Sequence, residues 1–93
     1  MKWVVEEIRV EIADLDMELI EILAERRRLV EELGHWKRSL KLPLVDPVRE
    51  RFLRDRYNRS ARRHGVDPGL VQRLFDQIWE DSKAQQKGDR QAG

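Results

Sequence analysis

Apolar residues recur along the first part of the chain at alternating spacings of three and four. Such a heptad pattern is typical of a helix that packs lengthwise against other helices. No proline interrupts the pattern, its first glycine is Gly34, and the intervening residues favour helix. One long helix is therefore predicted from about Val4 to Lys41. We call its regular positions the heptad stripe: Val5, Ile8, Ile12, Leu15, Leu19, Ile22, Arg26, Leu29, Leu33, Trp36 and Leu40.

The length of this helix predicts that the chain assembles with a second copy. About 38 residues at ~1.5 Å each give a rod of roughly 57 Å. A compact domain of this size is only about 30–35 Å across. Because the heptad stripe is apolar almost to both ends, another molecule must cover part of it, and a symmetric homodimer is the simplest solution. Leu23, Ala24 and Val30 widen the stripe enough to contact more than one neighbour.

Two shorter helices are predicted after the long one. Pro43 disfavours helical geometry in the residue before it, which ends the first helix. Asp46 and Asp67 are each followed by proline, a combination preferred at helix starts. No strand pattern is found, so the predicted class is all-α, with one long and two shorter helices. The predicted bounds are Pro47 to about His64 and Pro68 to about Gln86, followed by a disordered tail, residues 87–93.

Composition narrows the possible functions. The 93 residues allow one domain, and a net charge of +1 argues against strong non-specific binding to nucleic acid or membranes. The chain contains no cysteine, and His35 and His64 have no ligand pattern around them, so neither a disulfide nor a metal site is expected. No signal peptide or membrane span is recognisable, which makes the cytoplasm the expected location.

Polar residues occupy several positions that should face inward. Arg26 lies on the heptad stripe and needs a counter-charge or an anionic ligand there, unless it only sets register or reaches out to solvent. Lys37 lies three turns further along nearly the same face. Ser82 and Gln86 continue the apolar face of the third helix, where fraying near the chain end is the simpler explanation.

A short loop brings the start of the second helix, with Asp46, Arg49 and Glu50, back towards Lys37. Cations, carboxylates, a hydroxyl and an amide around one pocket suit a small dianionic ligand that carries a hydroxyl. The sequence offers no nucleophile–base pair and no phosphate-binding loop. An enzyme built this way would act by positioning and fixed charge.

Five segments of the chain have the spacing of a known family. They are Arg9-Val-Glu-Ile-Ala-Asp-Leu-Asp, Leu23-Ala-Glu-Arg26-Arg27, Gly34-His-Trp-Lys37, Pro43-Leu-Val-Asp46-Pro-Val-Arg49-Glu50 and Leu74-Phe-Asp-Gln-Ile-Trp-Glu-Asp-Ser82-Lys-Ala-Gln-Gln86. This ordered set closely resembles the all-helical chorismate mutases, which are intertwined dimers of three-helix chains. The resemblance covers residues 5–86. It implies a chorismate mutase domain over residues 1–86 and an intertwined homodimeric helical bundle.

The resemblance also implies roles for individual residues. Arg26 resembles the arginine that binds one substrate carboxylate within its own chain, and Arg9 the arginine that the other protomer supplies to the second carboxylate. Ser82 resembles a residue that contacts a carboxylate. Lys37 and Gln86 resemble the pair that donates hydrogen bonds to the ether oxygen of the breaking bond.

The remaining site positions belong to the second helix. Asp46 and Glu50 resemble the groups that hold the ring hydroxyl of the substrate, and Arg49 lies beside them. Trp36 and Trp79 match no site position, and we interpret both as packing residues. The residues expected to act in catalysis itself are Arg26, Lys37, Glu50 and Gln86.

The implied reaction is the rearrangement of chorismate to prephenate, whose product feeds phenylalanine and tyrosine synthesis. One bond forms while one C–O bond breaks within a single molecule, and the family needs no cofactor or metal. An association with another enzyme of the same pathway is possible and leaves no signature in the sequence.

Three other interpretations remain. An isochorismate–pyruvate lyase shares the fold, but such proteins tend to lack the carboxylates that match Asp46 and Glu50. A helical dimerisation or regulatory module without activity would leave four inward polar residues unexplained. A DNA-binding dimer is suggested by the arginines of the second helix and is disfavoured by the even overall charge.

Overall fold

The computed structural model describes residues 1–92, and the side chains of residues 1–88, as three helices without a strand. Helix α1 spans Lys2–Ser39, α2 spans Pro47–Arg63 and α3 spans Pro68–Ala92. The predicted all-α class, with one long and two shorter helices, is confirmed. Helix α3 continues past its predicted end at Gln86. The predicted disorder of residues 87–93 stays a prediction, since most of this segment lies outside the described side chains.

The predicted caps begin the two shorter helices. The Asp46 carboxylate accepts a hydrogen bond from the backbone N–H of Arg49 at 3.1 Å. The Asp67 carboxylate accepts hydrogen bonds from Gly69 and Leu70, both at 3.3 Å. Each cap satisfies backbone donors that have no partner inside their own helix. Between these helices Gly65 adopts a φ of 68°, a left-handed conformation that favours glycine.

Helix α3 packs against both α1 and α2, and within the described residues α1 and α2 do not pack on each other. The helices therefore form a row with α3 in the middle, 59 × 28 × 15 Å in extent. The radius of gyration is 17.1 Å, whereas a compact domain of this length has a value of about 12 Å. The expectation that α1 is too long for a compact protomer is confirmed.

The heptad stripe lies open to solvent in the single chain. All its apolar members are between 47% and 65% exposed. The buried positions of α1 are instead Val30 and Gly34, and Leu23 is half-buried. These positions lie beside the stripe, where Leu23 and Val30 were expected to meet a second neighbour. The protomer thus covers the side of the stripe and leaves its centre uncovered.

Within the described residues, no helix is long and apolar enough to cross a membrane. The cytoplasmic location stays a prediction.

Candidate active site

A cavity of about 150 Å³ lies between the C-terminal half of α1, the loop before α2, the first two turns of α2 and residues 79–86 of α3. Seven of the residues predicted to form a site line this cavity: Arg26, Lys37, Asp46, Arg49, Glu50, Ser82 and Gln86. Arg26 and Lys37 come from α1, the next three from the start of α2, and the last two from α3. The row of helices therefore gathers residues that are up to 60 positions apart in the sequence.

Arg26 is held in place by Ser82. One guanidinium nitrogen of Arg26 donates a hydrogen bond to the Ser82 hydroxyl oxygen, and that hydroxyl donates to the Ile78 carbonyl at 2.9 Å. Ser82 is only 6% exposed, which fixes the arrangement. No carboxylate among the described residues forms a salt bridge with Arg26. Because a half-buried guanidinium has several donors, it is suited to an anionic ligand.

Lys37 and Gln86 form a second polar pair in the cavity. The Lys37 ammonium donates to the Leu44 carbonyl at 2.8 Å and to Gln86 Oε1 at 3.1 Å. An ammonium group has donors only, so the amide of Gln86 must turn its oxygen towards Lys37. The Nε2 group is then the end of the amide that can donate to something else. Gln86 is 6% exposed, which makes this an oriented donor within a largely buried setting.

Two carboxylates line the α2 side, and they have different surroundings. Asp46 is the N-cap of α2, so one of its oxygens accepts a hydrogen bond from the helix backbone. Glu50 lies one turn further, with Oε1 3.0 Å from the Lys83 ammonium and the glutamate side chain 30% exposed. Arg49 lines the same wall. Each carboxylate thus has one oxygen engaged within the protein and a second oxygen that can accept a hydrogen bond from a ligand.

The structure does not bring Arg9 to the cavity. Its side chain is 70% exposed and pairs with Glu6 at 2.9 Å on the same helix. Arg9 and Arg26 are 17 residues apart on α1, which corresponds to about 25 Å along a helix. A single chain cannot place both arginines on one small ligand.

An ion pair beside the cavity joins α1 to α3. Arg27 donates to the Asp81 carboxylate at 2.9 Å and 3.3 Å, and its backbone carbonyl accepts from Gln85 Nε2 at 2.8 Å. The hydrogen bond and the negative charge of Asp81 raise the pKa of Arg27. Because these groups are exposed, they contribute mainly to the alignment of the two helices.

Trp36 and Trp79, the two tryptophans interpreted as packing residues, differ. Trp79 is 7% exposed and forms part of the cavity wall. The Arg54 guanidinium lies over its ring at 4.5 Å from the ring centre and pairs with Asp76 at 2.8 Å. Trp36 is 53% exposed in the single chain. Of these two residues, only Trp79 is buried within the protomer. Trp79 also lines the cavity, which was not predicted from the sequence.

Other lining residues were also missed: Leu33, Leu44, Val45, Leu53 and Lys83. The four aliphatic ones are indistinguishable in sequence from ordinary packing residues. Lys83 follows Ser82 directly and lies in a charged helix, so no pattern separates it from a surface lysine.

A larger cavity of about 260 Å³ lies between α2 and α3, lined by Tyr57, Phe75 and neighbouring residues. Its charged residues are already paired, Arg54 with Asp76 and Asp55 with Arg59. The cavity around Arg26 instead has four cationic side chains and two carboxylates, an excess that favours an anionic ligand. Among the described residues, no three His, Cys, Asp or Glu side chains are grouped so that they could hold a metal ion.

Comparison with known proteins identifies the family of the chain. The sequence model of the family described as chorismate mutase type II matches residues 8–87. The chain belongs to the type II chorismate mutase family. The resemblance predicted from the ordered motifs is confirmed, and with it an enzyme of the isomerase class with chorismate mutase activity.

Individual relatives extend this result. A chorismate mutase of Methanocaldococcus jannaschii is 33% identical over 81 residues, covering 87% of this chain and 82% of the relative. A bifunctional chorismate mutase/prephenate dehydratase of Escherichia coli is 40% identical over 75 residues, which is 81% of this chain and 19% of the relative. A T-protein of Haemophilus influenzae is 31% identical over 78 residues, covering 84% of the chain and 21% of the relative. The chain therefore spans about a fifth of the length of the latter two relatives.

Proposed function

We propose that the cavity between α1, α2 and α3 binds chorismate and rearranges it to prephenate, in a homodimer whose partner chain supplies Arg9. The observation that carries this proposal is the combination of Arg26, which has no ion pair among the described residues, with the Lys37–Gln86 pair in one cavity. Together they offer a site for a carboxylate and a donor for a developing negative charge.

The reaction is intramolecular, so conformational selection is a large part of the catalytic task. Chorismate must adopt a diaxial, chair-like conformer in which the two carbons that form the new bond approach each other. Arg26, held by Ser82, binds one carboxylate, and Arg9 of the other chain binds the second. Fixing both carboxylates removes rotational freedom before the reaction, which is the source of effective-molarity gains.

The second task is electrostatic. As the C–O bond breaks, negative charge gathers on the ether oxygen, and no general acid is required. Gln86 Nε2 and the Lys37 ammonium are the donors assigned to this oxygen. Removal of one donor of this kind typically costs about 10²–10³ in rate. The hydrogen bond between the two residues holds the glutamine in the donating orientation.

Glu50 and Asp46 are assigned to the ring hydroxyl, and each keeps one oxygen for it, because the other oxygen of Asp46 caps α2 and that of Glu50 binds Lys83. Arg49 adds positive charge beside them. These groups select a hydroxylated ring, since an acceptor that the bound substrate shields from water is unfavourable without a donor.

Two observations support the dimer. The ten apolar members of the heptad stripe are all exposed in the single chain. The cavity of about 150 Å³ is also smaller than the ~300 Å³ or more of typical small-molecule sites. A second chain laid along the stripe would cover the apolar surface and could add a wall to the cavity.

The test is the loss of chorismate absorbance with purified protein and no added cofactor or metal. Wild-type protein should convert chorismate, and Lys37→Met and Gln86→Leu should each lower kcat by about 10²–10³. Arg28→Met is the matched control, because Arg28 is an exposed residue of α1 that pairs with Glu25 and Glu32 on its own helix. Wild-type protein that leaves chorismate unchanged, or that releases pyruvate from isochorismate instead, would refute the proposal.

A further inference from the structure

Lys83 is a charged residue at the cavity that the proposed mechanism does not use. It lies on α3, directly after Ser82, and its side chain is 44% exposed. Its ammonium is 3.0 Å from Glu50 Oε1, which places an ion pair between α3 and the first turn of α2. Both members of this pair line the cavity.

The pair has a consequence for the carboxylate. A glutamate side chain on a helix surface can occupy several rotamers, and only some of them present an oxygen to a ligand. An ammonium group 3.0 Å away favours the rotamer that reaches it. An ionised carboxylate has acceptors only, and one oxygen can bind Lys83 while the other accepts a hydrogen bond from a hydroxyl.

We propose that Lys83 is a positioning residue, which holds the Glu50 carboxylate oriented at the cavity wall so that it accepts a hydrogen bond from the ring hydroxyl of the substrate. The inference rests on the proposed function, since it assigns Lys83 a part in that reaction. It makes Lys83 a determinant of specificity for a hydroxylated ring, acting through Glu50.

A direct role is the competing explanation. Lys83 could bind a carboxylate of the substrate itself, in the way proposed for Arg26. The two explanations differ for an analogue of chorismate that lacks the ring hydroxyl. If Lys83 acts through Glu50, its loss affects only a substrate that carries the hydroxyl. If Lys83 binds a carboxylate, both compounds are affected equally.

The experiment measures kcat/KM for chorismate and for the analogue without the ring hydroxyl. The variants are Lys83→Gln, Lys83→Arg, Glu50→Gln and the double variant Lys83→Gln/Glu50→Gln. Lys83→Gln should lower kcat/KM for chorismate about tenfold, the lower end expected for a weakened hydrogen bond to a charged group. Lys83→Gln should change kcat/KM for the analogue by no more than about twofold. Lys83→Arg should keep most of the wild-type kcat/KM for chorismate.

The double variant tests whether the two residues act together. If Lys83 acts through Glu50, the double variant is no worse than Glu50→Gln alone. Lys87→Gln is the control, because it removes a lysine charge one helical turn further along α3 at an exposed position. Lys87→Gln should leave kcat/KM unchanged for both compounds.

Three results would overturn the inference. They are an equal loss for both compounds, a double variant whose defect is the sum of the two single defects, and no loss for chorismate in Lys83→Gln. Rescue by Lys83→Arg separates a positioning role from a folding defect. Wild-type protein that fails to convert chorismate would refute the proposed function and this inference with it. An active wild type with any of the three results refutes the inference alone.

Discussion

Dimerisation through the heptad stripe can be tested by one substitution on this surface. The ten apolar members of the stripe are 47% to 65% exposed in the single chain. Full burial of such a side chain contributes about 1.5–3 kcal/mol, so covering the exposed half contributes about 1 kcal/mol. Two chains with ten positions each gain about 20 kcal/mol, more than the roughly 4–15 kcal/mol that association costs.

Leu19→Asp is the perturbation we choose, because Leu19 lies mid-stripe and is 51% exposed. The substitution removes about 1 kcal/mol of burial and adds at least about 2 kcal/mol for a desolvated carboxylate. A two-fold dimer contains the change twice, so its stability falls by about 6 kcal/mol. This corresponds to a rise in the dimer Kd of roughly 10⁴-fold.

Met17→Asp is the matched control. Met17 is 58% exposed, similar to Leu19, but the two residues are about 200° apart around the helix. Sedimentation at micromolar concentration, with circular dichroism, measures association and folding together. Wild type and Met17→Asp should be folded dimers, and Leu19→Asp should be monomeric or unfolded. A wild type that is a stable folded monomer, or a Leu19→Asp variant that associates as tightly as Met17→Asp, would refute the reasoning.

Two further predictions concern the site. Gln86→Glu should confine activity to acidic pH, because only a protonated carboxyl group can donate a hydrogen bond. With an ordinary glutamate pKa of about 4.3, the protonated fraction rises roughly 10³-fold from pH 8 to pH 5. Equal kcat at the two pH values would show that Gln86 is not a donor to the substrate. Asp46→Ala should lower the free energy of unfolding by about 1 kcal/mol because the α2 cap is lost, whereas Asp46→Asn keeps the cap. Thermal unfolding of both variants checks this, and equal melting temperatures would contradict the capping role.

Hydrophobic periodicity identified the helices well, because a heptad pattern and two Asp-Pro starts act locally. It could not tell which part of the apolar surface is covered by the same chain. The apolar members of the strict stripe are exposed in the single chain, whereas Val30 and Gly34 beside the stripe are buried. Hydrophobic periodicity predicts that a face of α1 is covered but does not say by which helix or chain. Which helix covers it depends on the direction in which the loop at residues 40–46 leads α2 and α3.

The site was predictable where polar residues break an apolar face. Arg26, Ser82 and Gln86 are out of place in a core, and this signalled a pocket. Lys83 and Trp79 gave no such signal. A lysine is ordinary on a charged helix, and an aromatic residue is ordinary on an apolar face. Arg9 was assigned only by resemblance, and its exposed position in one chain leaves its role to experiment.

The central claim is that each active site combines residues of two chains, and subunit mixing tests it directly. Arg9→Ala and Arg26→Ala should each be inactive alone. In a hybrid dimer one site receives both alanines, and the other keeps both arginines. Unfolding and refolding equal amounts together makes about half the dimers hybrid, each with one working site, so activity should return to roughly a quarter of wild type. A mixture that stays as inactive as its parents, although hybrids are shown to form, would contradict the claim.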